Sequence, residues 1–547
     1  MNRRQFLSTA SSLAVAPALL ARQTAAADAR IEILLHEPGS VIAPEIYGHF
    51  AEHLGGVVYD GIWVGEQSSI PNVNGVRKQL IDALRKVKPG MIRWPGGCFA
   101  DQYDWRDGTG PRAKRPRRTN FWVDAGEWPS NADRTGAQAY EPNTFGTVDF
   151  GEFCRHVGAQ PYFAANVRSL PAQQLDQWIE YCNSPAGSTT LADLRAADGH
   201  PDPLNVKLWG VGNESWGCGG NFDPEDYAVE FRRYTAWAPS YGLKLAFIGS
   251  GPNDDNFAWT RRAFAKLGSA GVDNLWGWAL HHYSWNASAH SHPEWSKSKS
   301  DALQFDASQY YSILRDANDT ERLIRTHWDV MGESDPHHKV KLVVDEWGAW
   351  HKPGSEPFPE ALLGQQNTMR DAVVAGMTLD IFNRHADKVG MASVAQLVNN
   401  LQALFFAHED RFCVTPTYHV FDLYSSHQGG QSLRTVISSP DLHYTFDDKP
   451  ANLPGLSGSC SLNGNTLTIT VTNPSFDTAR NAEIVLRGGR MQNISAVVLA
   501  AQDVHAHNSF DNPRAVEPST LAIKAQGAVL TNLFPPASVT KLEVTIG

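Results

Sequence analysis

Cysteine is scarce in this chain: six occur in 547 residues, at positions 98, 154, 182, 218, 413 and 460, and no two stand in the Cys-x-x-Cys spacing of a structural zinc site. So few thiols make no dense disulfide framework, and bridges are not demanded of the fold. Positive charge is also short. The 47 Lys and Arg against 58 Asp and Glu leave a net charge of −11, which opposes a polyanionic partner and provides no global field for nucleic acid. Long apolar runs are missing as well: Leu13 to Leu20 is too short to span a bilayer, and nothing later reaches that length. The one basic run, Arg112-Ala113-Lys114-Arg115-Pro116-Arg117-Arg118, reads as a solvated loop beside a cleft in preference to a phosphate patch.

What is present is size and aromatic surface. At this length one large domain plus a smaller one is expected, and 17 Trp with 15 Tyr suit a neutral sugar, whose C–H faces pack on rings. The N-terminus, Met1-Asn2-Arg3-Arg4-Gln5-Phe6-Leu7-Ser8 followed by the short apolar run and the small residues Ala25-Ala26-Ala27-Asp28-Ala29, resembles a twin-arginine signal peptide. It predicts a cleaved leader over residues 1–29, a periplasmic or secreted protein that folds in the reducing cytoplasm before export, and no membrane contact once the leader is gone.

From residue 45 to 428 short apolar runs alternate with amphipathic stretches, the pattern of an α/β domain with parallel strands. Eight runs can be counted: Ile46–His53, Met91–Gly97, Pro161–Val167, Leu208–Glu214, Lys244–Ser250, Leu275–Tyr283, Lys341–Gly348 and Gly390–Val398. Eight closes a (β/α)₈ TIM barrel, whose strands read as nearly continuous apolar runs because helices cover them outside. Helical spacing recurs between them, over Asn74–Val87 and over Pro171–Cys182. Over residues 429–547 the texture changes to alternating strands such as Leu467-Thr468-Ile469-Thr470-Val471-Thr472, with an Asn463-Gly464 turn, which predicts a C-terminal antiparallel β-sandwich. Residues 30–44 precede the first barrel strand and are expected to add a strand to that sandwich.

Active sites in this fold are built at the carboxyl ends of the strands. The fourth run ends Gly212-Asn213-Glu214 and the seventh ends Asp345-Glu346-Trp347. Two carboxylates converging on one mouth are the minimum equipment for glycosidic bond hydrolysis. One must be ionised to attack the anomeric carbon, and the other must hold a proton for the leaving oxygen, so a cation beside the first and desolvation around the second are required. Arg93, at the end of the second run, is the candidate cation. The paired histidines in Leu280-His281-His282-Tyr283 do not read as a metal site, because neighbours on a strand point to opposite faces. One of them is expected to position a catalytic carboxylate. Trp63, Trp94, Trp285 and Trp350 are candidate sugar platforms or core residues, and residues 127–141 are a candidate lid.

The strings Ile46-Tyr47-Gly48-His49-Phe50-Ala51-Glu52-His53-Leu54-Gly55, Arg93-Trp94-Pro95-Gly96-Gly97, Tyr103-Asp104-Trp105-Arg106-Asp107-Gly108, Gly212-Asn213-Glu214 and Ala395-Gln396-Leu397-Val398-Asn399 resemble the α-L-arabinofuranosidases of glycoside hydrolase family 51. The resemblance implies a retaining exo-enzyme acting on arabinose-containing plant oligosaccharides or polysaccharides, with Glu214 as acid/base and Glu346 as nucleophile. It implies that Glu52, Asn213, Tyr283 and Gln396 line the arabinose subsite, that Asn213 bonds the 2-hydroxyl, that no cofactor or metal takes part, and that the chain forms a homo-oligomer, often a hexamer in the family. Cys98 departs from the Asn that many members carry after the Gly-Gly. A thiol there is a weaker hydrogen-bond partner for the sugar, and a buried structural cysteine is the alternative. Two competing readings stay open: an endo-glucanase or xylosidase on the same scaffold, and a non-catalytic carbohydrate-binding protein.

Overall fold

The computed structural model describes residues 27–124, 136, 139–285, 298–523, 525 and 527–547. The leader expected over residues 1–29 falls mostly outside them, as does most of the candidate lid at 127–141. The first strand, β1 (Ala29–Val41), belongs to the C-terminal sheet. The chain then enters a closed barrel of eight parallel strands, β2 (Gly48–Phe50), β3 (Met91–Trp94), β4 (Gln160–Ala165), β5 (Leu208–Val211), β6 (Ala246–Gly249), β7 (Leu275–Ser284), β8 (Lys341–Ala349) and β9 (Val389–Val394). Each falls within one of the eight apolar runs or extends it by a residue or two.

Strand alternation sorts the side chains. Met91, Tyr162, Leu208, Ile248, Ala279, Val343 and Met391, from seven different strands, meet inside the barrel in one apolar layer. Their neighbours Ile92, Phe163, Trp209 and Val344 point outward into the larger core shared with the helices. Two residues further along several strands, the same inward face carries Arg93, His281 and Asp345, and this layer sits at the carboxyl mouth.

After the barrel come β10 (Gln431–Ser438), β11 (Ser457–Asn463), β12 (Thr466–Asn473), β13 (Arg480–Arg487), β14 (Met491–Leu499), β15 (Ser519–Thr520), β16 (Val529–Phe534) and β17 (Ser538–Ile546). With β1 they form nine strands in the order β15-β14-β17-β12-β11-β10-β1-β13-β16. The sheet closes over its own core, where Leu467 and Ile469 of β12 join Leu530 and Phe534 of β16 and Ile31 and Ile33 of β1. It is not wholly antiparallel: β1 runs antiparallel to β10 but parallel to β13. The parallel pairing arises because β1 arrives from the other end of the chain, so no hairpin dictates its direction.

The helix α1 (Met369–Arg384) is the main contact between the barrel and this sheet. Its Asp380 is buried and accepts hydrogen bonds from Ser459 Oγ (2.8 Å), Thr470 Oγ1 (2.7 Å) and Thr472 Oγ1 (3.2 Å) of β11 and β12. Asn383 adds a bond to Ser459 Oγ while accepting one from Tyr47 at the start of the barrel.

Candidate active site

Arg93 organises the mouth of the barrel. Its guanidinium is almost fully buried, lies over the ring of Phe50, and donates to Glu346 Oε1 at 2.7 Å and to Asn213 Oδ1 at 2.5 Å; its Nε lies 3.3 Å from Asp345 Oδ2. Simple alternation from Val343 would send Asp345 inward and Glu346 outward. Pairing with β7 shows why both reach the same cation: Leu280 faces Val344 but His281 faces Glu346, so β8 carries one extra residue there. That bulge turns Glu346 back into the mouth.

Burial raises the affinity of the Glu346 carboxyl for a proton. The charges of His281 and Arg93 and the hydrogen bonds from Arg93 and Tyr283 outweigh it and hold the group below its ordinary range. Tyr283 Oη donates to Glu346 Oε2 at 2.7 Å. His281 Nδ1 lies 3.1 Å from Glu214 Oε1 and 3.5 Å from Glu346 Oε2. Burial lowers its basicity, but the two carboxylates prevail and raise it. His282 points the other way, to Asp254 Oδ1 (2.6 Å) and the Asp316 carbonyl (2.9 Å), as strand alternation requires.

Glu214 lies beyond the end of β5, behind Gly212 (φ 83°) and itself at φ 39°. That is left-handed backbone, which a residue with a Cβ adopts only when its surroundings impose it. Oxygens of Glu214 and Glu346 and a nitrogen of His281 all lie within 4.8 Å of one another. Glu52, just beyond β2, takes the backbone N–H groups of Gly97 (3.1 Å) and Phe99 (2.9 Å) on Oε1 and the Gln396 amide (3.2 Å) on Oε2. Burial, with the nearby Glu346 charge, pushes its carboxyl up to about 7 against the pull of these donors.

All eight residues singled out in the sequence, Glu52, Arg93, Cys98, Asn213, Glu214, Tyr283, Glu346 and Gln396, are thus brought together around one cavity. Cys98 differs from expectation: it is joined to Cys218, 120 residues later, so it has no thiol proton to offer a sugar, and its Sγ lies 3.8 Å from Glu214 Oε2. The pairing was hidden in the sequence because only the barrel brings the loops after β3 and β5 together. The tryptophans divide. Trp350 lines the cavity, whereas Trp94 is stacked on Phe150 in the core and Trp63 is buried under Arg112. Trp122, which carried no signal in the sequence, forms a wall with Leu54, Leu363 and Leu401. The basic run, expected as a loop, forms a short 3-10 turn (Arg112–Lys114) and ends in a two-residue strand (Arg118–Thr119), and its Arg112 and Arg118 pair with Glu66, Asp149 and Asp107.

A parallel barrel that presents two carboxylates, one buried on an arginine and one partly exposed, around one cavity at its mouth is the frame of a glycoside hydrolase. Residues 83–300 match the family described as "Alpha-L-arabinofuranosidase 1 domain" and residues 345–538 the "Alpha-L-arabinofuranosidase C-terminal domain". The chain is 34% identical to an intracellular exo-α-L-arabinofuranosidase of Bacteroides ovatus over 98% of its own length and 99% of the relative's. It is 28% identical to an intracellular exo-α-(1→5)-L-arabinofuranosidase of Bifidobacterium longum, over 91% and 88%. Among solved structures, the family 51 arabinofuranosidase of Xanthomonas axonopodis pv. citri superposes with a TM-score of 0.86 at 34% identity, covering 95% of this chain and all of that one. The chain belongs to the α-L-arabinofuranosidases of glycoside hydrolase family 51. The same relatives correct the expectation of twin-arginine export, since both curated enzymes are named as intracellular. A basic, apolar N-terminus shares its composition with export signals but is not specific to them.

Proposed function

We propose that the chain is a retaining, exo-acting α-L-arabinofuranosidase in which Glu346 is the nucleophile and Glu214 the acid/base. The observation that carries the reading is the spacing of the two carboxylates, whose oxygens approach within 4.8 Å. A retaining pair stands about 5–5.5 Å apart, whereas an inverting pair needs about 6.5–9.5 Å to admit a water. The asymmetry of their surroundings supports the roles: Glu346 sits on Arg93 and Tyr283, which favour its ionised form. In the first step Glu346 attacks the anomeric carbon, the glycosidic C–O bond breaks, and Glu214 gives its proton to the departing oxygen. In the second Glu214 takes a proton from water, which attacks the same carbon and releases Glu346. Glu52, Arg93, Asn213, Tyr283 and Gln396 are assigned to the arabinose subsite, with the Cys98–Cys218 bridge beside it.

Exo action is supported by the cavity walls, where Leu54, Trp122, Trp350 and Leu363 stand beside the carboxylates; a long open groove would suit the endo-glucanase alternative. Terminal arabinofuranose on plant oligosaccharides is the proposed substrate, in line with the names of the relatives. The barrel over 45–428 is assigned the chemistry and 429–547, with the strand at 30–44, a structural role. A homo-oligomer is proposed, to be weighed by light scattering.

The roles of the two glutamates are separated by azide. The α-linked substrate is attacked from the β face, so the covalent intermediate is β-linked. In Glu214→Ala, with dinitrophenyl arabinofuranoside, azide enters that intermediate from the α face and gives the α-azide. In Glu346→Ala, azide replaces the missing carboxylate and gives the β-azide in one displacement. Proton NMR of the products reads the outcome, and the reverse pair of products would exchange the two assignments.

A further inference from the structure

The loop that follows β3 reaches past β4 to grip the backbone that carries Glu214. Its grip is Asp101, in a short 3-10 turn (Ala100–Gln102), and the side chain is fully buried. Oδ1 accepts the backbone N–H groups of Val167 (2.8 Å) and Arg168 (3.1 Å) just beyond β4, and Oδ2 accepts that of Asn213 (3.0 Å) just beyond β5. A buried carboxylate is costly unless it is well bonded, and these three bonds come from main-chain donors, not from a cation. The Arg168 side chain instead bonds the Asp101 carbonyl, with Nε at 3.0 Å.

The peptide held by Oδ2 joins Gly212 to Asn213. Beside it, the carbonyl of Asn213, in the next peptide, is so close to Gly219 that a Cβ there would lie 1.7 Å from it, and 2.9 Å from Asp101 Oδ2. The segment is therefore bonded by Asp101 and packed against Gly219 immediately before Glu214, whose φ of 39° needs an external constraint. Were the peptide to rotate, Asn213 Oδ1 would leave Arg93 and Glu214 would leave His281.

We propose that Asp101 is a positioning residue for the acid/base: its carboxylate holds the Gly212–Asn213 peptide so that Glu214 points at the glycosidic oxygen. The inference rests on the reading of Glu214 as acid/base. Asparagine is the isosteric probe, since its single carbonyl cannot accept from both sides and its NH₂ would meet an N–H.

Asp101→Asn is made in the full chain, alone and with Glu214→Ala, and kcat/KM is measured on an arabino-oligosaccharide and on the dinitrophenyl glycoside, with circular dichroism as the control for folding. Misplacing a catalytic group by about 1 Å costs on the order of 10²-fold, so a loss of that size is expected on the oligosaccharide, with little loss on the dinitrophenyl substrate, which leaves unprotonated. In the Glu214→Ala background the same substitution should cost far less than in the wild type, because the group it positions is gone and only the share carried through Asn213 remains. Equal losses in both backgrounds, or unchanged kinetics with a lower Tm alone, overturn the proposal. If Asp101→Asn does not fold, Asp101→Ser, which keeps one acceptor without the charge, is put through the same cycle. Failure of the underlying reading shows separately, as a Glu214→Ala enzyme with no leaving-group dependence and no azide rescue.

Discussion

A methyl group on Gly97 would lie 2.8 Å from Glu346 Oε1 and 3.4 Å from Asn213 Nδ2. The residue is therefore glycine for the space it leaves at the carboxylate. Gly97→Ala should reduce kcat/KM by about 10²-fold, the usual cost of displacing a reacting group, while the melting temperature stays close to wild type. Near-native kinetics would show that the site has slack there. Tyr283 makes a sharper case. It donates to the ionised form of Glu346, so Tyr283→Phe removes a bond that holds that carboxyl down, and its pKa rises. The acidic limb of the kcat/KM profile should move to higher pH; an unmoved limb would mean that another group sets it. At this scale the sequence was informative wherever a residue belongs to a motif with its own chemistry, as in Arg93-Trp94-Pro95-Gly96-Gly97. It was silent on Trp122, Asp101 and the partner of Cys98, because each takes its meaning from a segment far away in the chain.

The elements that frame the site are β7 and β8, and each orients side chains in a way the residue types do not reveal. In β8 the bulge brings Asp345 and Glu346 to one cation, a register detail that periodicity cannot predict. In β7 alternation alone separates His281 from His282, and that much was readable. His282 is buried between Asp254 and Asp316. Burial lowers its basicity, but the Asp254 hydrogen bond and both carboxylates raise it to about 9, above the ordinary 6.5. Its folded pKa is the higher one, so its contribution to stability is complete below pH 6.5 and is lost as pH rises through 9. Wild type should therefore lose melting temperature across that window, and His282→Gln should flatten the decline. Parallel curves for the two proteins would remove His282 from the account.

At the scale of the molecule, a buried carboxylate and three hydroxyl groups form part of the joint between barrel and sandwich. Asp380→Ala would leave those hydroxyls short of an acceptor, although Ser459 and Thr470, 3.0 Å apart, can still bond each other. A loss of about 1–3 kcal/mol is expected, seen in calorimetry as one transition at lower temperature. Two separated transitions would show that the units unfold independently. The eight-strand count and the change of texture near residue 430 made this architecture legible in advance. Residues 30–44 were expected to add a strand to the sandwich; what could not be read was which strands β1 joins, namely β10 on one side and β13 on the other, pairing Ile33 with Thr435 and Ile31 with Ile484. That place bears on the order of events at the ribosome. Both neighbours of β1 are made after the whole barrel, so the strand emerges early and waits, apolar and unpaired, through most of synthesis. The closing contact spans most of the chain, the arrangement that folds slowest. The strands β10 and β13 therefore do more than extend a domain: their arrival gives a strand made long before them somewhere to go.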